Sequence, residues 1–159
     1  MKNEIERKFF VKEMTDLSGA QPLHYERYFL DRGNGKEVRI SKINDSYIYE
    51  EKSELSELER TRDKKEITKE EFYKLKENAS EGLIRDRYSF SSNPDIVIQV
   101  YHGRFEGLVC AEVEFDSAEA ANAFSPLSWM GREMTGLPIA RDARLIELSS
   151  EEFKKYLVA

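Results

Sequence analysis

The chain has 159 residues, of which 40% are hydrophobic and 35% charged, with a formal net charge of -6. That suits one domain over residues 1–159 with a packed core, and it excludes a disordered tail, a membrane span and a general nucleic-acid binder, which a phosphate backbone would require to be basic. Met1 is followed by no signal-peptide core, a lone cysteine (Cys110) fits a reducing cytoplasm, and His24 and His102 lie too far apart to suggest zinc, while a basic pocket inside an acidic protein can still focus its field on a small anion.

Residues 4–11 open the chain as an alternating strand. Period two puts Glu4, Glu6 and Lys8 on one side and Ile5, Arg7 and Phe9 on the other. After a loop broken by Gly19 and Pro22, residues 24–31, 36–43 and 46–54 read as strands in a series of hairpins, turning at Arg32-Gly33-Asn34-Gly35 and Asn44-Asp45. The highly charged stretch that follows holds a further candidate strand over 62–67. Thr68-Lys69-Glu70-Glu71 is a capping box, opening a helix to about residue 80 that Gly82 ends, with Phe72, Leu75 and Ala79 on one face. Residues 83–90, 96–101 and 108–115 read as three more strands. Ser117 caps a short helix through residue 124, residues 126–136 are irregular, and Ser149-Ser150-Glu151-Glu152 opens a C-terminal helix. The pattern is antiparallel α+β, mostly strand, with helices between hairpins.

One anomaly recurs along these strands. Glu112 and Glu114 alternate with Ala111 and Val113, Arg39 with Val38 and Ile40, Arg85 and Arg87 share a face, and Lys52 shares one with Glu50. Amphipathic helices need the apolar faces, so the charged faces turn elsewhere: to solvent in an open sheet, or inward in a barrel closed on itself. The charges are sorted by strand. Carboxylates come from the first strand and the Glu112/Glu114 strand, cations from those between. Clustered carboxylates bind a hard divalent cation, and inward Arg and Lys bind phosphate oxygens, so the two sets together suit a metal–polyphosphate. No glycine-rich phosphate loop is present.

Glu4-Ile5-Glu6-Arg7-Lys8 resembles the ExExK signature of the CYTH superfamily, the triphosphate tunnel metalloenzymes. Later elements follow in the same order: Arg39 in VRI, Lys52 in EKSE, Arg85-Asp86-Arg87-Tyr88, Glu112-Val113-Glu114-Phe115, and Trp129-Met130-Gly131-Arg132-Glu133-Met134-Thr135, which is similar to a stretch near the end of small bacterial members. The resemblance implies a closed antiparallel β-barrel of about eight strands forming a tunnel, helices packed outside, and divalent-metal-dependent action, with Mg²⁺ or Mn²⁺, on a small anionic triphosphate. It implies Glu4, Glu6, Glu112 and Glu114 as metal ligands, Glu114, Glu66 and Lys8 as catalytic groups, and Lys8, Arg39, Lys52, Arg62, Arg85, Arg87 and Arg141 as phosphate contacts. A homodimer is compatible with it.

The sequence departs from the family pattern at Ser41, Lys64 and Gln99, where relatives often carry a base, Glu and Asp, and at Arg85, which replaces the more usual Lys. Hydrolysis of tripolyphosphate to pyrophosphate and phosphate is the leading expectation. The alternatives are a nucleoside- or thiamine-triphosphate hydrolase, an adenylate cyclase, and a polyphosphate-binding module without turnover, which the Ser41 and Gln99 departures motivate. Lys64, Lys65, His24 and His102 are expected at the solvated surface, Tyr101 in the core or against a helix, and Cys110 facing inward without a nucleophilic role.

Overall fold

The computed structural model describes residues 2–55 and 58–158. Nine strands form one antiparallel sheet: β1 (Lys2–Val11), β2 (Leu23–Gly33), β3 (Lys36–Ile43), β4 (Ser46–Glu54), β5 (Glu59–Glu66), β6 (Leu83–Ser92), β7 (Asp95–His102), β8 (Val109–Glu114) and β9 (Met130–Glu133). The order is β5-β4-β3-β2-β6-β7-β8-β1, and β5 pairs back onto β1 with Glu4 opposite Arg60, so eight strands close into a ring. Closure removes the exposed edges and gives every strand an inner and an outer face. The closing strand begins at Glu59, earlier than the charge pattern suggested. Strand β9 runs beside the end of β1, with Met130 opposite Val11. It lies inside the stretch read as irregular, because four residues are too few to display an alternation.

The outer faces carry the apolar side chains. Helix α1 (Lys69–Lys76) starts at the capping box: Thr68 N donates to Glu71 Oε1 at 3.0 Å, and Glu71 N donates to Thr68 Oγ1 at 3.1 Å. Its Phe72 is buried against the rings of Tyr47 and Tyr28, at centroid distances of 5.0 and 6.2 Å. The helix stops well before Gly82, which therefore does not cap it. A Cβ at Gly82 would lie 2.6 Å from the Arg27 carbonyl, so this glycine permits a close backbone approach to β2. Across the barrel, α2 (Ala118–Ala123), whose N-cap Ser117 accepts from Ala120 N, and β9 cover a cluster of Phe9, Ile96, Ala111, Val113 and Met130. On the outer wall His24 and His102 both bond Asp86, at 2.7 and 2.9 Å.

The larger apolar cluster seals one end of the ring. Phe29, Tyr101 and Cys110 share the inward-facing alternation of their strands, and they pack with Ile139, Ala140, Ala143 and Leu145. Those last residues come from a 3₁₀ turn, Pro138–Ala140, followed by one helical turn, α3 (Asp142–Leu145). Helix α4 (Ser150–Val158) backs this cluster through Phe153, and Ser149 with Glu152 forms the expected second capping box. Not every helix lies outside the barrel wall, as the resemblance implied. The 138–145 segment is a plug, and its Asp142 reaches the interior.

Candidate functional site: a charged cavity inside the barrel

The interior holds a cavity of about 140 Å³. Its lining comes from all eight ring strands: Glu4, Glu6 and Lys8 of β1, Tyr25 and Arg27 of β2, Arg39 of β3, Glu50 and Lys52 of β4, Arg60, Arg62 and Lys64 of β5, Arg85 and Arg87 of β6, Asp95 and Gln99 of β7, and Glu112 and Glu114 of β8, with Asp142 from the plug. The charged strand faces therefore turn inward, and the closed arrangement is the one adopted.

The register explains the pairing. Glu6 lies opposite Glu114 and Lys8 opposite Glu112. Like charges directly across a strand pair repel, so the Glu6–Glu114 step calls for a cation between them. Lys8 partly answers it: its Nζ is 3.2 Å from Glu112 Oε1 and 3.7 Å from Glu6 Oε1, and it donates to the Ala140 carbonyl of the plug at 2.6 Å. Burial works against the Lys8 charge, but Glu112 and Glu6 outweigh it and raise its pKa. Burial likewise opposes the Glu112 carboxylate, yet Lys8, Arg85 and Arg87 bring it down to about 2. Glu4 is ion-paired through Oε1 with Lys52 at 2.6 Å and through Oε2 with Arg62 at 3.0 Å. Lys52 is lowered to about 7, by burial first and then by Arg39 and Arg60, with Glu4 and Glu6 opposing.

Toward the plug the charges are bound to one another. Arg39 pairs with Glu37 at 3.1 Å and Glu50 at 3.2 Å, and Arg60 reaches Glu37 at 2.5 Å. Arg27 donates from Nε to Ser41 Oγ at 2.9 Å and from Nη1 to Asp142 Oδ2 at 2.9 Å. Arg85 donates from Nε to the same Asp142 oxygen at 3.2 Å and from Nη1 to Gln99 Oε1. Tyr101 donates its hydroxyl to Asp142 Oδ1 at 2.6 Å. Ser41 and Gln99, two of the four departures from the family pattern, are thus acceptors that hold Arg27 and Arg85. The Tyr25 ring is covered by the same two guanidiniums, at 5.2 and 4.4 Å from its centroid.

Ten of the expected site residues meet in this cavity: Glu4, Glu6, Lys8, Arg39, Lys52, Arg62, Arg85, Arg87, Glu112 and Glu114. Two do not. Glu66 has the inward alternation of Arg62 and Lys64 but stands exposed at the last position of β5, beyond the lining. Lys64, expected in solvent, is exposed yet sits at the cavity wall one step nearer. Arg141 is buried, pairs with Glu54 at 2.5 Å, and borders two neighbouring cavities rather than this one. Arg27, Arg60, Glu37 and Asp142 were not anticipated. The first three alternate in phase with Tyr25, Arg62 and Arg39, a signal that parity alone supplies. Asp142 sits in no alternating segment. Cys110 is buried beside Lys8 with its thiol pKa pushed up, in keeping with an inert role.

The carboxylates fit a hard divalent cation by the chemistry of the donor set, with Glu6 and Glu114 side by side and Glu4 and Glu112 lining the same cavity. As arranged among the described residues, no three carboxylate, imidazole or thiol groups converge on one metal position, because Lys8, Lys52 and Arg62 hold them.

No family model matches the chain. It is 34% identical over 137 residues to an inorganic triphosphatase of Nitrosomonas europaea, covering 83% of this chain and 89% of that protein. It is 28% identical over 158 residues to an inorganic triphosphatase of Acetivibrio thermocellus, covering 98% of this chain and all of that one. A solved crystal structure of an inorganic triphosphatase matches with a TM-score of 0.66 at 27% identity, over 91% of this chain and 95% of that one. With its closed eight-stranded ring and charged interior, the chain belongs to the CYTH superfamily of triphosphate tunnel metalloenzymes.

Proposed function

We propose that the chain hydrolyses inorganic tripolyphosphate to pyrophosphate and phosphate inside the barrel. The observation that carries this reading is the cavity's size and lining taken together. At about 140 Å³ it falls below the ~300–1,000 Å³ of pockets for drug-sized ligands, and nearly all its side chains are charged. A bare polyphosphate suits such a space better than a nucleotide. The aromatic ring in the lining, Tyr25, already packs with the guanidiniums of Arg27 and Arg85, which compete with a base for it.

In this reading Arg39, Lys52, Arg62, Arg85, Arg87 and Lys8 bind the phosphate oxygens and fix the chain in line with attacking water. Glu4, Glu6, Glu112 and Glu114 would hold Mg²⁺ or Mn²⁺, which when bound would supply charge neutralisation and Lewis-acid polarisation of the phosphoryl group. Glu114 orients the water and accepts its proton as the new P–O bond forms and the bridging P–O bond breaks. Glu66, exposed at the strand end, and Arg141, paired with Glu54, take no direct part. Substrate binding exchanges partners: phosphate oxygens replace Glu4 on Lys52 and Arg62, which releases the Glu4 carboxylate.

The test is phosphate release from tripolyphosphate, ATP and thiamine triphosphate side by side, with Mg²⁺ or Mn²⁺, and a cyclic-nucleotide assay on ATP. Tripolyphosphate should turn over fastest, and Glu4→Gln and Glu114→Gln should abolish most of the rate. Preferential turnover of ATP or thiamine triphosphate would favour the organic triphosphates, and tight calorimetric binding with no release at any metal concentration would make the barrel a binding module.

A further inference from the structure

We propose that Asp142 is a built-in anion that occupies the place of a further phosphoryl group and so sets the length of polyphosphate the barrel admits. The inference rests on the tripolyphosphate reading above and adds to it a residue that determines specificity. Three donors converge on this one carboxylate: Arg27 Nη1 at 2.9 Å, Arg85 Nε at 3.2 Å and the Tyr101 hydroxyl at 2.6 Å. Two guanidiniums and a hydroxyl around one anionic group make a phosphoryl site by composition and geometry. Here the chain itself fills it.

The position in the fold supports this. Asp142 is 8% exposed, lines the cavity, and stands where the cavity meets the plug. Ala143 and Leu145, on the same helical turn as Asp142, pack in the apolar cluster with Ile139 and Phe29, which fixes Asp142 in place. On β6, Arg87 lies one inward step from Arg85 and lines the same cavity, so a polyphosphate held by Arg87 has its next group directed at the Arg85–Asp142 pair. A longer chain would bring a negative group against a carboxylate held well ionised by Arg85 and Arg27. Like charges at contact in a water-poor interior repel strongly, so the next phosphate is refused. Asp142 therefore acts both as wall and as counter-charge. It keeps Arg27 and Arg85 neutralised when no ligand reaches them, in company with Ser41 and Gln99.

The experiment compares tripolyphosphate and tetrapolyphosphate, by initial rates and by calorimetric affinity, in the parent protein, Asp142→Asn and Asp142→Ala. The parent should prefer tripolyphosphate by tenfold or more. Asp142→Ala should erase or invert that preference, and Asp142→Asn, which keeps the shape and removes the charge, should narrow it. A defect of folding alone would lower both substrates together and leave their ratio fixed. Equal handling of the two lengths by the parent, or an unchanged ratio in a folded variant, would overturn the assignment. Absence of tripolyphosphate turnover in the parent would instead sink the functional reading, and the affinity ratios would still judge Asp142.

Discussion

The mouth of the cavity and its plugged end are built from the same residue types and organised in opposite ways. At the plugged end Arg27, Arg85, Asp142, Ser41, Gln99 and Tyr101 satisfy one another at hydrogen-bond distance. Near the mouth, Glu6 and Glu114 are like charges side by side, and the Glu4 carboxylate is held by the ammonium of Lys52 and the guanidinium of Arg62, groups a ligand can draw away. A buried polar network that is complete specifies and rigidifies a fold, whereas an incomplete one stores interaction for something else. Substitutions at the two ends should therefore separate activity from stability.

The largest separation is expected at Glu114. Replacing it with Gln removes the carboxylate proposed to orient water, at an expected cost in rate of ~10²–10⁴-fold. The same change relieves repulsion with Glu6 across the strand pair, which offsets contacts that Glu114 gives up, so thermal stability should fall by less than at the plugged end. A Glu114→Gln protein that loses rate and melts as early as a plugged-end variant would contradict the comparison. Arg27→Met should behave in the opposite manner. It leaves Asp142 and Glu50 short of a buried partner, and loss of one member of a buried ion pair costs ~3–5 kcal/mol. Denaturant titration measures it, and a loss under about 1 kcal/mol would show that the plugged end is not a stability element.

The same comparison governs what the sequence disclosed. Strands announce themselves by alternation, so the ring and most of the mouth residues could be read from Glu4, Glu6, Lys8, Arg39, Lys52, Arg85, Arg87, Glu112 and Glu114 before any coordinates. The sorted charges resembled a tunnel family for that reason. Asp142 gives no such signal. It lies in a 3₁₀ turn and a single helical turn, too short for a period, and its partners Arg27 and Tyr101 are more than a hundred and about forty residues away. Only the return of the chain into the barrel end joins them. Glu66 shows the complementary limit. Parity predicts which face a side chain takes, but not how far along the barrel the cavity extends.

Glu50 adds a pH test on the paired half of the site. Burial opposes its charge, but Arg39, then Arg27 and Lys52, lower it from the ordinary 4.5 to about 2. A carboxylate depressed in the folded state stabilises fully above its unfolded value, and that stability is lost as pH falls through the folded one. The contribution, about 3 kcal/mol, should be complete near neutrality and fade from pH 4.5 toward 2. The stability gap between parent and Glu50→Gln should narrow over that window. A gap that stays constant down to pH 3 would mean that Glu50 is not held by these arginines.

The smallest expected effect lies outside the ring. Thr68 accepts from Glu71 N at 3.1 Å and starts the helix whose Phe72 covers Tyr28 and Tyr47 on the outer wall. Thr68→Ala should cost ~1 kcal/mol, the usual price of an N-cap. Rate and length preference should not change, because the inner face of each wall strand is fixed by two hydrogen-bonded neighbours rather than by the helix behind it. That expectation makes the variant informative despite its size. If tripolyphosphate turnover falls along with melting temperature, the wall deforms when its outer support loosens. The charge arrangement at the mouth would then depend on the apolar layer as well as on the ring.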